Sequence, residues 1–259
     1  MYTKDDLIKD IRAMGIKPTD TLMIHSSMKA IGKVDGGAET VLDAFIEYMK
    51  DGLLIFPTHS WDKINSENNL YDPRTQPSCV GLLTNLFMKR PETLRSWHPT
   101  HSVAAQGQDA EAYIQGEEKT TTACPRFGCW GKLYDRKAKI LFLGCSMKRN
   151  TYIHGVEEWC DVPDRIAAVA EMLLIKTPDG RILECPQFRH HSPIEDISSN
   201  YAKLQIPLVK KGIAIKGFIG AAESYLCDAV DMADLTTEFL KKNPDLFLDN
   251  NPVPMEWFI

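Results

Sequence analysis

The chain has 259 residues, 44% of them apolar and 25% charged, with a formal net charge of −5, which excludes an intrinsically disordered polymer. No run of Lys or Arg is long enough to track phosphates, so nucleic acid is excluded as an expected partner. No apolar run reaches the roughly 18 residues that span a bilayer, so no membrane contact is expected either.

In chain order, Thr3 with Asp6 three residues on predicts a helix cap, and Leu7, Ile8, Ile11 and Met14 then share one helical face up to Gly15. "TLMIH" reads as a buried strand ending at His25, followed by the loop "SSMKAIGKVDGG". "AETVLDAFIEYMK" carries Val41, Leu42, Phe45, Ile46 and Met49 at helical spacing, and "GLLIFPTHS" is a second buried strand. Strand, helix, strand predicts a βαβ unit. The polar, aperiodic segment 61–78 predicts a long loop on the substrate side of a single domain spanning 1–259.

Further along, "VGLLTNLFMKR" reads as a helix, "SVAAQG" as a strand, "DAEAYIQG" as a short helix and "KILFLGCS" as a third strongly apolar strand. "NTYIHGVEEWC" read as a helix sets His154 and Glu157 on one face, with Glu158 slightly round the cylinder. "IAAVAEMLLIKTPDGRILECPQF" predicts a hairpin turning at "TPDG". "GIAIKGFIG" is a strand, and "AAESYLCDAVDMADLTTEFLKKN" is expected to be one final helix. The sum is an α/β fold with a mixed central sheet, parallel crossovers meeting an antiparallel hairpin.

The seven cysteines, at 79, 124, 129, 145, 160, 185 and 227, form no C-x-x-C pair, and "MYTKDDLIKDIRAMG" lacks a signal-peptide h-region, so reduced thiols in a cytoplasmic protein are expected. Ser26 and Ser27 at a strand end, with Lys29 beyond, suit an anion, although a Ser-rich turn reads the same way. His98, His101 and Ser102 in "WHPTHSV" join His25, His59 and His154 as metal-ligand types, but no two of them have H-x-x-x-H spacing, and no metal is expected. His190 and His191 in "FRHHSP" have no supporting motif and are read as surface or packing residues.

Six segments, "MIHSSMKAIGKVDGGAETVLDAF", "PTHSW", "WHPTHSVAAQG", "FGCWGKLYDRKAKILFLG", "RNTYIHGVEEW" and "GFIGAAESYLCDA", resemble in order and spacing the aminoglycoside 3-N-acetyltransferase family. The resemblance implies a three-layer α/β/α fold and transfer of acetyl from acetyl-coenzyme A to an amine of an aminoglycoside antibiotic, conferring resistance. It places the catalytic histidine at His154 and its acidic partner at Glu157. By the same resemblance Ser26, Ser27, Lys29, His101 and Ser102 are cofactor-side residues.

Direct transfer needs a neutral amine, and a histidine whose unperturbed pKa is about 6.5 suits a general base. A polycationic acceptor calls for carboxylates; Asp62 and Glu67 in the long loop, Glu157, Glu158 and Asp161 around the helix, and Glu195 and Asp196 after the hairpin are candidates. Glu157 and Glu158 come first because they accompany the base, with Trp61 as a cleft wall. "FGCWGKL" departs from the serine-proline form common in the family, and Cys129 there is an alternative thiol nucleophile with His154. Two further alternatives are the same chemistry on another amine and a coenzyme A binding protein without transfer activity. A homodimer is left open.

Overall fold

A computed structural model describes residues 1–259. The elements run α1 (Lys4–Ala13), β1 (Thr21–Ser26), α2 (Met28–Ile31), α3 (Gly37–Tyr48), β2 (Leu53–Pro57), β3 (Leu70–Tyr71), α4 (Leu82–Phe87), β4 (Leu94–Arg95) and β5 (Val103–Gly107). They continue α5 (Ala110–Ile114), α6 (Cys129–Asp135), β6 (Lys139–Leu143), α7 (Thr151–Trp159), β7 (Glu171–Lys176), β8 (Ile182–Gln187), α8 (Gln205–Lys210), β9 (Ala214–Ile219), β10 (Ala222–Asp228) and α9 (Ala229–Lys242). The expected cap of α1 is a reciprocal box: the Thr3 hydroxyl accepts from the Asp6 N–H, and the Asp6 carboxylate accepts from the Thr3 N–H.

A seven-stranded sheet in the order β4-β5-β2-β1-β6-β10-β9 carries the fold. Its middle strands β2, β1 and β6 are parallel, and the strands on both flanks are antiparallel. Side chains alternate across it: Leu22 and Ile24 of β1 face Leu7, Phe45 and Phe87 of α1, α3 and α4, while Met23 belongs to the opposite core with Tyr113, Leu133, Val156 and Met232 of α5, α6, α7 and α9. Helices therefore cover both faces of a mixed sheet, the three-layer arrangement expected.

Two expectations are corrected. Ala222–Asp228 is a strand and not the start of the last helix, because it pairs with β6 on one edge and β9 on the other. Tyr225 and Cys227 go to one core and Ala222 and Leu226 to the other, so a strand buried on both faces mimics a helical spacing. Asp228 then caps α9, its carboxylate accepting from the N–H groups of Val230 and Asp231 at 3.0 and 3.1 Å. The hairpin β7–β8 forms around its turn as expected, but it sits in a separate three-stranded sheet where β3, from the long loop, lies parallel to β7. The antiparallel strands of the central sheet are instead β4, β5, β9 and β10.

The carboxyl ends of β1 and β6 lie side by side, Ser26 opposite Leu143. The chain leaves β1 for α3 in one core and leaves β6 for α7 in the other, so a crevice opens where the two paths diverge. Gly144 permits this closeness: its φ is +63°, and a Cβ there would lie 2.5 Å from the Ala30 Cβ. No helix is long and apolar enough to cross a membrane.

Candidate active site

The crevice is a cleft of about 1450 Å³. Its rim and floor come from the ends of β1 (His25, Ser26, Ser27, Lys29), β2 (Pro57, His59, Trp61) and β6 (Gly144, Cys145, Lys148, Arg149), from Thr151 and His154 on α7, and from the segment 189–198 after β8. Charge is mixed: Lys29, Lys148, Arg149 and Arg189 are cations, and Glu195 and Asp196 are anions.

His154 is held from behind. Its Nδ1 lies 2.6 Å from the Tyr201 hydroxyl and 2.8 Å from Nε2 of His190. Its Nε2 makes no hydrogen bond within the protein and is not sealed from solvent, so this nitrogen faces the cleft. Glu157 does not touch His154 directly: Tyr201 donates its hydroxyl to one carboxylate oxygen, and Arg165 Nε donates to the other at 2.6 Å. Glu157 and Arg165 are 0% and 1% exposed, so this is a fully buried ion pair. Burial raises the Glu157 carboxyl pKa, opposed by Tyr201 and Arg165. Burial pushes His154 well below the ordinary histidine value, reinforced by His190, His59 and Arg165.

His25 and His59 form a neutral floor, each pushed down to about 3 by burial. His25 stacks on Phe142 at 5.3 Å, and His59 packs on Trp130 at 5.6 Å. His101 lines the same cleft 4.9 Å from His59, with Nδ1 bonded to the Thr100 hydroxyl at 2.9 Å. His98 is buried and bonded to the Thr122 carbonyl at 2.9 Å. As a set of metal-ligand types, His154, Glu157 and His190 bring their atoms within 4.8 Å of one another. An ion there would have to displace Arg165 or Tyr201 from Glu157, since both carboxylate oxygens are already hydrogen-bonded.

With this geometry in view, residues 23–241 match the family described as aminoglycoside 3-N-acetyltransferase. The chain belongs to that family. It is similar to aminoglycoside N(3)-acetyltransferase III of Salmonella sp, 28% identical over 281 residues that cover 94% of this chain and 93% of that protein. Among solved structures it resembles AAC-IIIb in its binary complex with CoASH, with a TM-score of 0.81 and 22% identity over 97% of this chain and 99% of that one. It also resembles AAC-VIa bound to sisomicin, with a TM-score of 0.79 and 21% identity over 93% of this chain and 98% of that one. The mixed α/β fold and the enzyme class expected, an N3-acetyltransferase, are thus both found.

Within this acetyltransferase frame the cleft gathers His154, Ser26, Ser27, Lys29, His101 and Trp61, the last 48% exposed. It does not gather the others. Ser102 is fully buried, donating to the Thr58 carbonyl at 2.9 Å and accepting from Arg95 Nε at 3.2 Å, so its hydroxyl braces the loop beneath the cleft. Glu158 turns away, accepting from the Thr122 hydroxyl and from the Cys124 N–H at 3.2 Å beside a second, smaller cavity. Asp62 pairs with Lys63 at 3.6 Å outside the cleft lining. Cys129 is buried in the first turn of α6, its thiol pushed well above the usual range by burial, which removes it as a nucleophile candidate.

Tyr201, Arg165, Lys148, Arg149 and the contact role of His190 escaped the sequence reading. His190 lies 36 residues and Tyr201 47 residues from His154, and no local spacing links them. Glu195 and Asp196 are among the carboxylates considered for a cationic acceptor but rank below Glu157 and Glu158 in the sequence, and the cleft takes them and not Glu158. Lys148 and Arg149 had a weak signal, because they lie in the short turn a few residues after a buried parallel strand whose partner ends at Ser26.

Proposed function

We propose that the protein transfers acetyl from acetyl-coenzyme A directly to an amine of an aminoglycoside, position 3-N, with His154 as general base. The observation that carries this reading is that His154 Nε2 opens onto a single cleft holding both a cationic group, Lys29, Lys148 and Arg149, and an acidic pair, Glu195 and Asp196. The cations, with the Ser26 and Ser27 hydroxyls, suit the phosphates of the cofactor. The carboxylates suit a polycationic acceptor in a cleft of lowered dielectric.

When bound, the thioester supplies an acetyl group with a good leaving sulfur. His154 Nε2 takes a proton from the acceptor amine as its nitrogen bonds to the acetyl carbon, and returns a proton to sulfur as the carbon–sulfur bond breaks. The products are the acetamide and free coenzyme A thiol. The aminoglycoside-bound and CoASH-bound relatives support this choice of acceptor and donor. All seven cysteines are free, which suits a reducing cytoplasm. We place antibiotic resistance as the outcome of the same transfer.

Thiol release from acetyl-coenzyme A in the presence of a panel of aminoglycosides tests the reading. Release is expected with at least one 3-amino member and not with its 3-deamino counterpart. Release with simple polyamines but with none of the panel would move the acceptor to another amine class.

A further inference from the structure

The hydrogen-bond geometry behind His154 can be read as an inventory of protons. Glu157 is sealed from water and faces the Arg165 guanidinium at 2.6 Å, so the pair holds as carboxylate and cation. An ionised carboxylate only accepts, so in the Tyr201–Glu157 contact the donor is the tyrosine. Tyr201 has one proton, and it is spent on Glu157. At His154 Nδ1, 2.6 Å away, its oxygen can therefore only accept. Nδ1 must then carry the hydrogen, and Nε2, toward the cleft, must carry the lone pair.

The assignment also fixes His190: its Nε2, 2.8 Å from the same Nδ1 and 4.0 Å from the Glu157 carboxylate, has to accept there, with its own hydrogen on Nδ1. The opposite tautomer of His154 would set an Nδ1 lone pair against the lone pairs of Tyr201. Tyr201 is itself fixed by burial and by an edge-to-face contact with Phe247 at 4.8 Å, so its hydroxyl cannot swing away.

We propose that Tyr201 is a positioning residue that links the Arg165–Glu157 pair to His154 and fixes the imidazole as the Nδ1–H tautomer, leaving Nε2 as the base. The inference rests on the reading of His154 as the base. Glu157 then acts through Tyr201 and not by direct contact, and the positive charge that forms on the imidazole during transfer is balanced by a carboxylate one residue removed.

Tyr201→Phe keeps the ring on Phe247 and deletes the link. The expected result is a kcat lower by about 10- to 10³-fold, with KM for acetyl-coenzyme A and for the acceptor near the parent values. In a His154→Ala background the same change should have no further effect on kcat, because it acts through the imidazole. Nitrogen-15 spectra of histidine-labelled protein should show His154, assigned by its loss in His154→Ala, as Nδ1–H in the parent and not in Tyr201→Phe.

Glu157→Gln reaches the link from its other end and serves if Tyr201→Phe does not fold; it should reproduce the kcat loss and the tautomer change. Parent-like kcat in Tyr201→Phe, or an equal loss with and without His154, overturns the role of Tyr201 while leaving the base in place. Parent-like kcat in His154→Ala instead overturns the base reading itself.

Discussion

A histidine beside a carboxylate is usually expected to gain proton affinity, yet His154 loses it. Desolvation dominates, Arg165 adds a cation nearby, and His190 and His59, which would themselves have to charge, disfavour a further positive charge, while the negative charge of Glu157 is already matched by Arg165. The sign for activity follows: a general base works unprotonated, so the rate falls as pH drops through the His154 pKa. The acid limb of kcat is therefore expected below pH 6.5, and not near the value of a free histidine, in any assay where acceptor ionisation is held separate. His154 and Glu157 could be singled out from the sequence because the family resemblance points to them, the i and i+3 spacing only allowing that they share a helical face. Tyr201 and His190 could not, since the sheet and the segments after it bring them together only in three dimensions. Glu158 shows how sharp the division is: one further residue round the helix sends its carboxylate to Thr122 and Cys124 instead.

At the scale of elements, the site is made by strand ends. The parallel pairing of β1 with β6 brings Ser26 and Ser27 beside Gly144 and Cys145, and Ser27 N–H bonds to the Leu143 carbonyl at 2.9 Å. Ser27→Asp sets a carboxylate in this cleft wall without removing that backbone bond. It is expected to raise KM for acetyl-coenzyme A by about tenfold or more, with a much smaller change in the thermal midpoint, read by steady-state kinetics beside calorimetry. An unchanged KM would mean that the phosphates lie elsewhere, along Lys148 and Arg149.

The strand ends were readable because buried apolar runs stop abruptly at polar residues. The long loop looked structureless from its polar, aperiodic sequence, but Ile64 and Tyr71 within it are fully buried. Arg95, itself buried, binds the carbonyls of Pro73, Gln76 and Thr58, and Arg189 binds those of Trp61 and Ile64. Aperiodic polar sequence concealed this because the order comes from two arginines outside the loop, each supplying the donors that its backbone lacks.

Across the whole molecule, burying neutral histidines couples stability to pH. His25 and His59 are pushed down to about 3 and His98 and His190 to about 4, with His101 and His154 also lowered. In the unfolded chain these groups titrate near 6.5. Below that pH the unfolded chain takes up protons that the folded protein refuses, so stability is full above about 6.5 and is lost toward the folded values, by up to about 1.4 kcal/mol per pH unit for each group. Glu117, raised to about 7 by burial, works oppositely between its unfolded value and 7, as do Glu157 and Glu158 to a smaller degree. Six histidines outweigh three carboxyls, so the thermal midpoint should fall steadily from pH 7 to pH 5.5; a flat midpoint would mean that these histidines carry charge when folded.

The central claim is that His154 moves the proton, and the direct measurement is coenzyme A thiol release against pH for the parent and for His154→Ala, with acetyl-coenzyme A binding measured beside it. The expected result is a kcat lower by roughly 10²- to 10⁴-fold in the variant, the acid limb gone, and cofactor affinity nearly intact. A variant that keeps both the parental rate and the acid limb would contradict the account and move the base to another cleft histidine, His101 first.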